Sequence, residues 1–163
     1  MTASNAVGTL PGHPHRLLLV TSTGGHLAQL LALRGWWEHH ERHWVTFDKP
    51  DARSTLADER VTYAFHPTTR NLPNLARNTW LARRVVADAR PDVVVSTGAG
   101  VALPFFAEAR RQRIATIYLE VYDRVDSVTM TGRLCRLFSS AFCVQWPEQA
   151  RLYPGSELVG PVL

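Results

Sequence analysis

Hydrophobic positions fall along this chain in short unbroken runs rather than in alternation. Such runs occupy 17–21, 43–47, 61–65, 92–96, 114–119 and 141–145, each bounded by polar or turn-forming residues. Between most of them apolar residues return at helical spacing, over 26–37, 71–89, 102–111 and 129–139. A strand that is apolar on both sides needs cover on both faces, the environment of a parallel sheet flanked by helices. The pattern predicts an α/β fold, a Rossmann-like doubly wound parallel sheet. No repeat, low-complexity tract or linker interrupts it, so 16–163 reads as one domain. The opening "MTASNAVGTLPGHPH" has neither a basic start nor an apolar run, and 1–15 reads as a disordered leader rather than a signal peptide.

In such sheets ligands gather beyond the carboxyl ends of the strands. Four polar segments converge there: 22–26, 66–71, 97–100 and 120–127. In the first, Ser22-Thr23-Gly24-Gly25-His26, the two glycines permit a sharp turn with uncovered N–H groups, and the helix that follows aims its positive end at the same place. A phosphate or diphosphate is the natural occupant, although a tight turn without a ligand would use the same residues. A second glycine turn, Thr97, Gly98 and Gly100 in "STGAG", stands at a matching strand end. Neither G-x-G-x-x-G nor a ribose-binding acid follows in order, so no dinucleotide and no other cofactor is indicated.

His26 opens a helix. An imidazole there can take a proton from a hydroxyl nucleophile, since histidine ordinarily titrates near about 6.5, or it can simply bind phosphate or backbone. Glu120 and the "YDRVDS" segment follow the fifth strand. Glu120, Asp123 or Asp126 can hold a sugar hydroxyl or act as base, with Arg124 and Ser127 as substrate-binding neighbours; the two aspartates can equally form ion pairs with Arg124.

Charge and composition narrow the classes. The net charge of +4 is carried almost wholly by arginine. No aromatic-and-basic recognition motif accompanies it, which argues against nucleic acid and leaves an anionic bilayer or a phosphorylated substrate. Cys135 and Cys143 form neither a metal pattern nor a disulfide framework and read as reduced, buried thiols of a cytoplasmic protein. His39, His40 and His43 in "WWEHHERHW" cross a helix end into a strand with no carboxylate or cysteine to complete a shell, so no metal is indicated. No run reaches the roughly 20 apolar residues of a membrane span. The 71–89 segment sets Leu72, Leu75, Trp80, Leu81 and Val85 beside Arg77, Arg83 and Arg84; core packing explains most of this stripe, and Trp with Arg also suits a membrane interface.

The segments "VTSTGGHLAQLL", "VVVSTGAGVALPFF", "IYLEVYDRVDSVTMTGRL" and "FCVQWPEQARLYPGSELVGPVL" together resemble the membrane-side subunit of two-part glycosyltransferases. That family includes the eukaryotic subunit that helps add the second N-acetylglucosamine to dolichyl-diphosphate-N-acetylglucosamine, and bacterial exopolysaccharide proteins of the PssD type. The resemblance runs from about Arg16 to Leu163, and "VQWPE" is its most specific box. The Gly-Gly-His loop is also similar to that of peptidoglycan N-acetylglucosamine transferases, which join both halves of a GT-B fold in one chain.

The resemblance implies the N-terminal, acceptor-binding half of a GT-B glycosyltransferase. It further implies a separate donor-binding subunit holding the UDP-sugar, and a lipid-linked saccharide acceptor on polyprenyl diphosphate. The location implied is cytoplasmic, peripheral at the inner face of the plasma membrane. Eukaryotic members carry an N-terminal transmembrane anchor not matched here, so attachment is expected to be peripheral or borrowed from a partner. Two other readings compete: a scaffold that recruits and activates the donor subunit, and a flavodoxin-like domain gripping a flavin phosphate with "TSTGG".

Overall fold

The structure, a computed structural model, describes residues 14–163, so most of the stretch expected as a leader lies outside the described residues. Seven parallel strands form one sheet in the order β3-β2-β1-β4-β5-β6-β7. They are β1 (Arg16–Val20), β2 (Glu41–Phe47), β3 (Val61–Ala64), β4 (Val93–Ser96), β5 (Ala115–Leu119), β6 (Ala141–Val144) and β7 (Glu157–Leu158). β1 pairs with β2 on one side, Leu19 opposite Trp44, and with β4 on the other, Leu19 opposite Val95. The chain therefore reverses its winding between β1 and β4, the switch point at which doubly wound sheets bind ligands. A flavodoxin-like sheet runs in the order 2-1-3-4-5, so the strand order overturns that reading.

Alternation along β1 explains the unbroken apolar run. Leu17 and Leu19 enter one core with Leu27, Leu30, Trp37, Trp44 and Val95; Leu18 and Val20 enter the other with Val45, Phe105, Phe106 and Val144. Helices α1 (Gly25–Ala32), α2 (Arg34–Trp37) and α3 (Pro50–Thr55) serve the first core, and α4 (Leu72–Ala89), α5 (Ala102–Arg111) and α6 (Met130–Arg136) the second. A last short helix, α7 (Pro147–Leu152), follows β6.

The helix expected over 26–37 is broken at Leu33. The Trp37 indole N–H donates to the Leu30 carbonyl at 2.7 Å, satisfying a group that the interrupted ladder leaves short. α3 and α7 were not anticipated. Each is six residues long and begins with a proline at its first turn, which lacks the N–H that a helix start cannot use. Both cysteines are buried and free, and burial pushes the Cys135 thiol up to about 12 and the Cys143 thiol to about 11.

Candidate functional site

The turns after β1 and β4 meet at the switch point. Gly24 sits at φ 69°, a region open to glycine at little cost, and caps α1 without a side chain. The N–H groups of Gly25, His26 and Leu27 meet no acceptor among the described residues, as the first turn of a helix requires unless a ligand supplies one. The Gly24 N–H is already engaged, donating to Asp51 Oδ2 of α3 at 2.9 Å. Ser22 is buried, its hydroxyl reaching only the neighbouring Thr23 carbonyl at 3.4 Å, and Thr23 is half-buried.

His26 is fixed by the second turn. Its Nδ1 lies 2.9 Å from the Thr97 carbonyl, and the Thr97 hydroxyl donates to the His26 carbonyl at 2.7 Å. A carbonyl only accepts, so Nδ1 carries the proton and Nε2 of the neutral ring is the acceptor. Gly98, at φ 116°, makes this contact possible: a Cβ there would stand 3.1 Å from the His26 ring and from the Tyr118 hydroxyl. Gly100 is equally close to its surroundings, since a Cβ would meet the Thr68 hydroxyl at 3.0 Å. That contact brings the segment after β3 to the β4 turn. Asn78 holds the same segment from α4 by bonding both the N–H and the carbonyl of Phe65.

His26 lines a pocket of about 180 Å³ together with Tyr118, Glu120, Asp123, Arg124 and Thr131. Of the anticipated residues, His26, Glu120, Asp123 and Arg124 line it, whereas Ser22, Thr23, Gly24, Gly25, Thr97, Gly98, Gly100, Asp126 and Ser127 do not. Asp123, Arg124, Asp126 and Ser127 are all exposed. The expected ion pairs with Arg124 do not form among the described residues, and Arg124 lines the pocket.

Glu120 is fully buried, and both of its oxygens are occupied. Oε1 accepts from the Val121 N–H at 3.0 Å; Oε2 accepts from the Thr129 hydroxyl at 3.0 Å and from the Tyr153 hydroxyl at 2.5 Å. The carboxylate thus ties the end of β5 to the start of α6 and to α7. Gly132 is required by the same packing, because a Cβ there would stand 2.2 Å from Glu120 Oε2. Burial and the bond to Glu120 push the Tyr153 hydroxyl up to about 12, so it remains a donor at any physiological pH.

Three buried glutamines, unremarked in the sequence, continue this lattice. Gln145 Nε2 donates to the Glu120 carbonyl at 2.9 Å and to Gln29 Oε1 at 2.7 Å. Gln149 Nε2 donates to the Val121 carbonyl at 2.6 Å, and Gln29 Oε1 also accepts from the Tyr122 N–H at 3.2 Å. The Trp146 indole donates to the Tyr122 carbonyl at 2.7 Å. The "VQWPEQ" box thereby acts as a clasp on the 120–124 loop. Its specificity was the signal; buried amides paired to backbone are what that signal encodes.

The sheet and its switch-point turns define the fold class: a Rossmann-like doubly wound layer of the kind that forms one half of a GT-B fold. A family model described as "Oligosaccharide biosynthesis protein Alg14 like" matches residues 66–162, and the chain belongs to that family. A mouse relative, UDP-N-acetylglucosamine transferase subunit ALG14, is 25% identical over 185 residues, covering 94% of this chain and 85% of its own length. The human protein of that name is 25% identical over 178 residues, covering 90% of this chain and 82% of its own. Among solved structures, Acinetobacter baumannii MurG superposes with a TM-score of 0.72 at 19% identity, over 90% of this chain and 44% of its own. A UDP-GlcNAc 2-epimerase from Neisseria meningitidis bound to UDP-GlcNAc gives 0.66 at 13% identity, over 89% of this chain and 46% of its own. The chain thus spans less than half the length of these solved structures. His26 precedes the stretch that the family model matches, but the mouse relative aligns with nearly the whole chain.

Proposed function

We propose that this chain is the acceptor-binding subunit of a two-part, UDP-sugar-dependent glycosyltransferase acting on a polyprenyl-diphosphate-linked saccharide in polysaccharide or exopolysaccharide assembly. The donor sugar, N-acetylglucosamine by the names of the relatives, is held by a partner subunit. The diphosphate lies on the N–H groups of Gly25, His26 and Leu27, with Arg124 and the Thr97–Gly100 turn beside it; Ser22, Thr23, Gly24 and Ser127 shape the approach. The acceptor hydroxyl attacks the anomeric carbon, the bond to UDP breaks with its electron pair, and the hydroxyl proton passes to His26 Nε2. Asp123 binds a sugar hydroxyl, and Glu120 positions the loop. No step requires a metal or a cofactor.

The observation that carries this reading is the bond from His26 Nδ1 to the Thr97 carbonyl, which leaves Nε2 as an acceptor at the pocket. The donor subunit docks on the apolar groove of Leu33, Trp36, Ile117, Leu119, Val159 and Val162, which flanks the core that Leu33, Trp36 and Ile117 pack against. Deleting 158–163 is expected to abolish co-purification of the two subunits, and the chain alone is expected to turn over no UDP-sugar. The decisive experiment reconstitutes the pair with a lipid-diphosphate acceptor; robust transfer by the single chain overturns the reading. A scaffold role is the second reading, favoured by the full engagement of the Glu120 carboxylate. It predicts wild-type kinetics for His26 variants in an intact complex.

The membrane-side location belongs to this proposal. Among the described residues no helix is long and apolar enough to cross a membrane. Trp80 of α4 is exposed rather than part of the core.

A further inference from the structure

Phe142 touches two buried tyrosines. Tyr118 of β5 stacks on it with ring centroids 5.0 Å apart, and Tyr153, just past α7, tilts against it at 4.7 Å. Both tyrosines are 1% exposed, but their hydroxyls differ. That of Tyr153 donates to Glu120 Oε2 and accepts from the Thr129 N–H at 3.0 Å. That of Tyr118 makes no hydrogen bond among the described residues. Thr129 stands beside it, but its own hydroxyl is spent, donating to Glu120 at 3.0 Å and accepting from the Gly132 N–H at 2.8 Å. A buried hydroxyl left unpaired is destabilising, and a partner from outside the chain offsets that cost.

The free hydroxyl belongs to the candidate site. Tyr118 lines the pocket that holds His26, Asp123 and Arg124. At Gly98 a Cβ would stand 3.1 Å from the Tyr118 hydroxyl and 3.1 Å from both Nδ1 and Cε1 of the His26 ring. Phenol and imidazole thus flank one point, which glycine leaves open. Phe106, edge-on at 5.9 Å, and the stacked Phe142 hold the phenol ring in place. Burial and the neighbouring Glu120 carboxylate push its hydroxyl well above its ordinary value, so at physiological pH it is a donor and not a base.

We propose that the Tyr118 hydroxyl binds substrate, donating to an uncharged oxygen, a hydroxyl or an acetamido carbonyl, of the sugar whose reacting hydroxyl faces His26. That this sugar is the lipid-linked acceptor rests on the reading above. Charge favours the sugar over its diphosphate as the partner. Glu120 continues the β5 ladder, its N–H donating to the Cys143 carbonyl at 2.9 Å, so side chains 118 and 120 point to one face. A phosphate oxygen at the phenol would be repelled by the Glu120 carboxylate. Size argues the same way. The pocket measures about 180 Å³, and a cavity of roughly 150 Å³ accommodates benzene, so one six-membered ring matches it.

The test is titration calorimetry of the full chain with three probes. Two are N-acetylglucosamine and glucose, each joined through diphosphate to a short prenyl chain; the third is UDP-N-acetylglucosamine. Tyr118→Phe keeps the ring and removes only the hydroxyl. It should weaken binding of the prenyl-linked N-acetylglucosamine roughly tenfold, while melting at or above the wild-type temperature. Tyr153→Phe should do the reverse, melting lower with affinity per folded molecule within about twofold. If Tyr118→Phe loses a preference for N-acetylglucosamine over glucose, the bond goes to the acetamido carbonyl. If both prenyl-linked probes weaken equally, it goes to a hydroxyl.

Unchanged affinity of Tyr118→Phe for every probe overturns the proposal, as does a weakening that vanishes once the folded fraction is counted. Failure of wild type to bind any probe overturns it together with the acceptor reading. A weakening seen with UDP-N-acetylglucosamine alone defeats the acceptor reading and leaves the phenol as the sugar's donor.

Discussion

The strand ends after β1 and β5 carry similar polar residues and face the same pocket, yet their hydrogen-bonding capacity differs sharply. After β1, three N–H groups and the Nε2 of His26 are left without partners among the described residues. After β5, the Glu120 carboxylate, the Gln145 and Gln149 amides and the Tyr153 hydroxyl are all bonded within the chain. A buried polar group is inexpensive only when paired, and once paired it is no longer available to a substrate. The lesson is that chemistry belongs to the region with groups to spare, and architecture to the region without them.

The comparison can be broken at several points. The largest effect is expected from His26→Ala, which should lower kcat of the reconstituted pair by roughly 10²–10⁴ with little change in melting temperature. A loss under tenfold makes the imidazole a phosphate ligand and passes the base role to Asp123 or Glu120.

A second histidine sharpens the contrast through stability. His43 is buried against Thr62, and burial lowers its pKa from the ordinary value of 6.5 to about 4. The unfolded chain then binds more protons between those two values, so stability should fall as pH drops from 6.5 toward 4, by up to about 3 kcal/mol. Denaturant titrations across this range should show the slope, and His43→Asn should flatten it.

Glu120→Gln replaces one acceptor oxygen with a donor facing hydroxyl and amide donors. It should cost about 2 kcal/mol of stability, while kcat per folded molecule changes little. A large loss of kcat at wild-type stability would move the β5 end into the chemistry. Gly25→Leu is the smallest expected effect. A Cβ at Gly25 meets nothing within 4 Å, so the fold should tolerate it, but the side chain would stand over the free N–H groups. The apparent acceptor KM should rise about tenfold, equivalent to about 1.4 kcal/mol.

Much of this was legible in advance, for identifiable reasons. The inner strands show as apolar runs because both of their faces are covered, while edge strand β3 is half-exposed; the glycine turns after β1 and β4 show because positive φ at Gly24 and Gly98 narrows the choice of residue. What stayed hidden depends on contacts distant in the chain. Nothing in "KPDARST" reveals that Asp51 reaches back 27 residues to the Gly24 N–H. Nothing in Gln29 announces a bond to Gln145, 116 residues away. Glu120 looked like a base for the same reason: its type and position can be read in sequence, but its partners, Thr129 and Tyr153, cannot. α3, α7 and the two-residue β7 escaped because elements that short carry too little periodicity to register.

The most direct test sets His26→Ala beside Glu120→Gln in the assembled pair, with single-turnover rates normalised to the folded fraction. A drop of roughly 10²–10⁴ for His26→Ala, with Glu120→Gln within tenfold of wild type but melting lower, is the predicted result. The reverse pattern, a catalytically silent His26→Ala and a stable but inactive Glu120→Gln, would contradict the assignment of chemistry to the β1 turn.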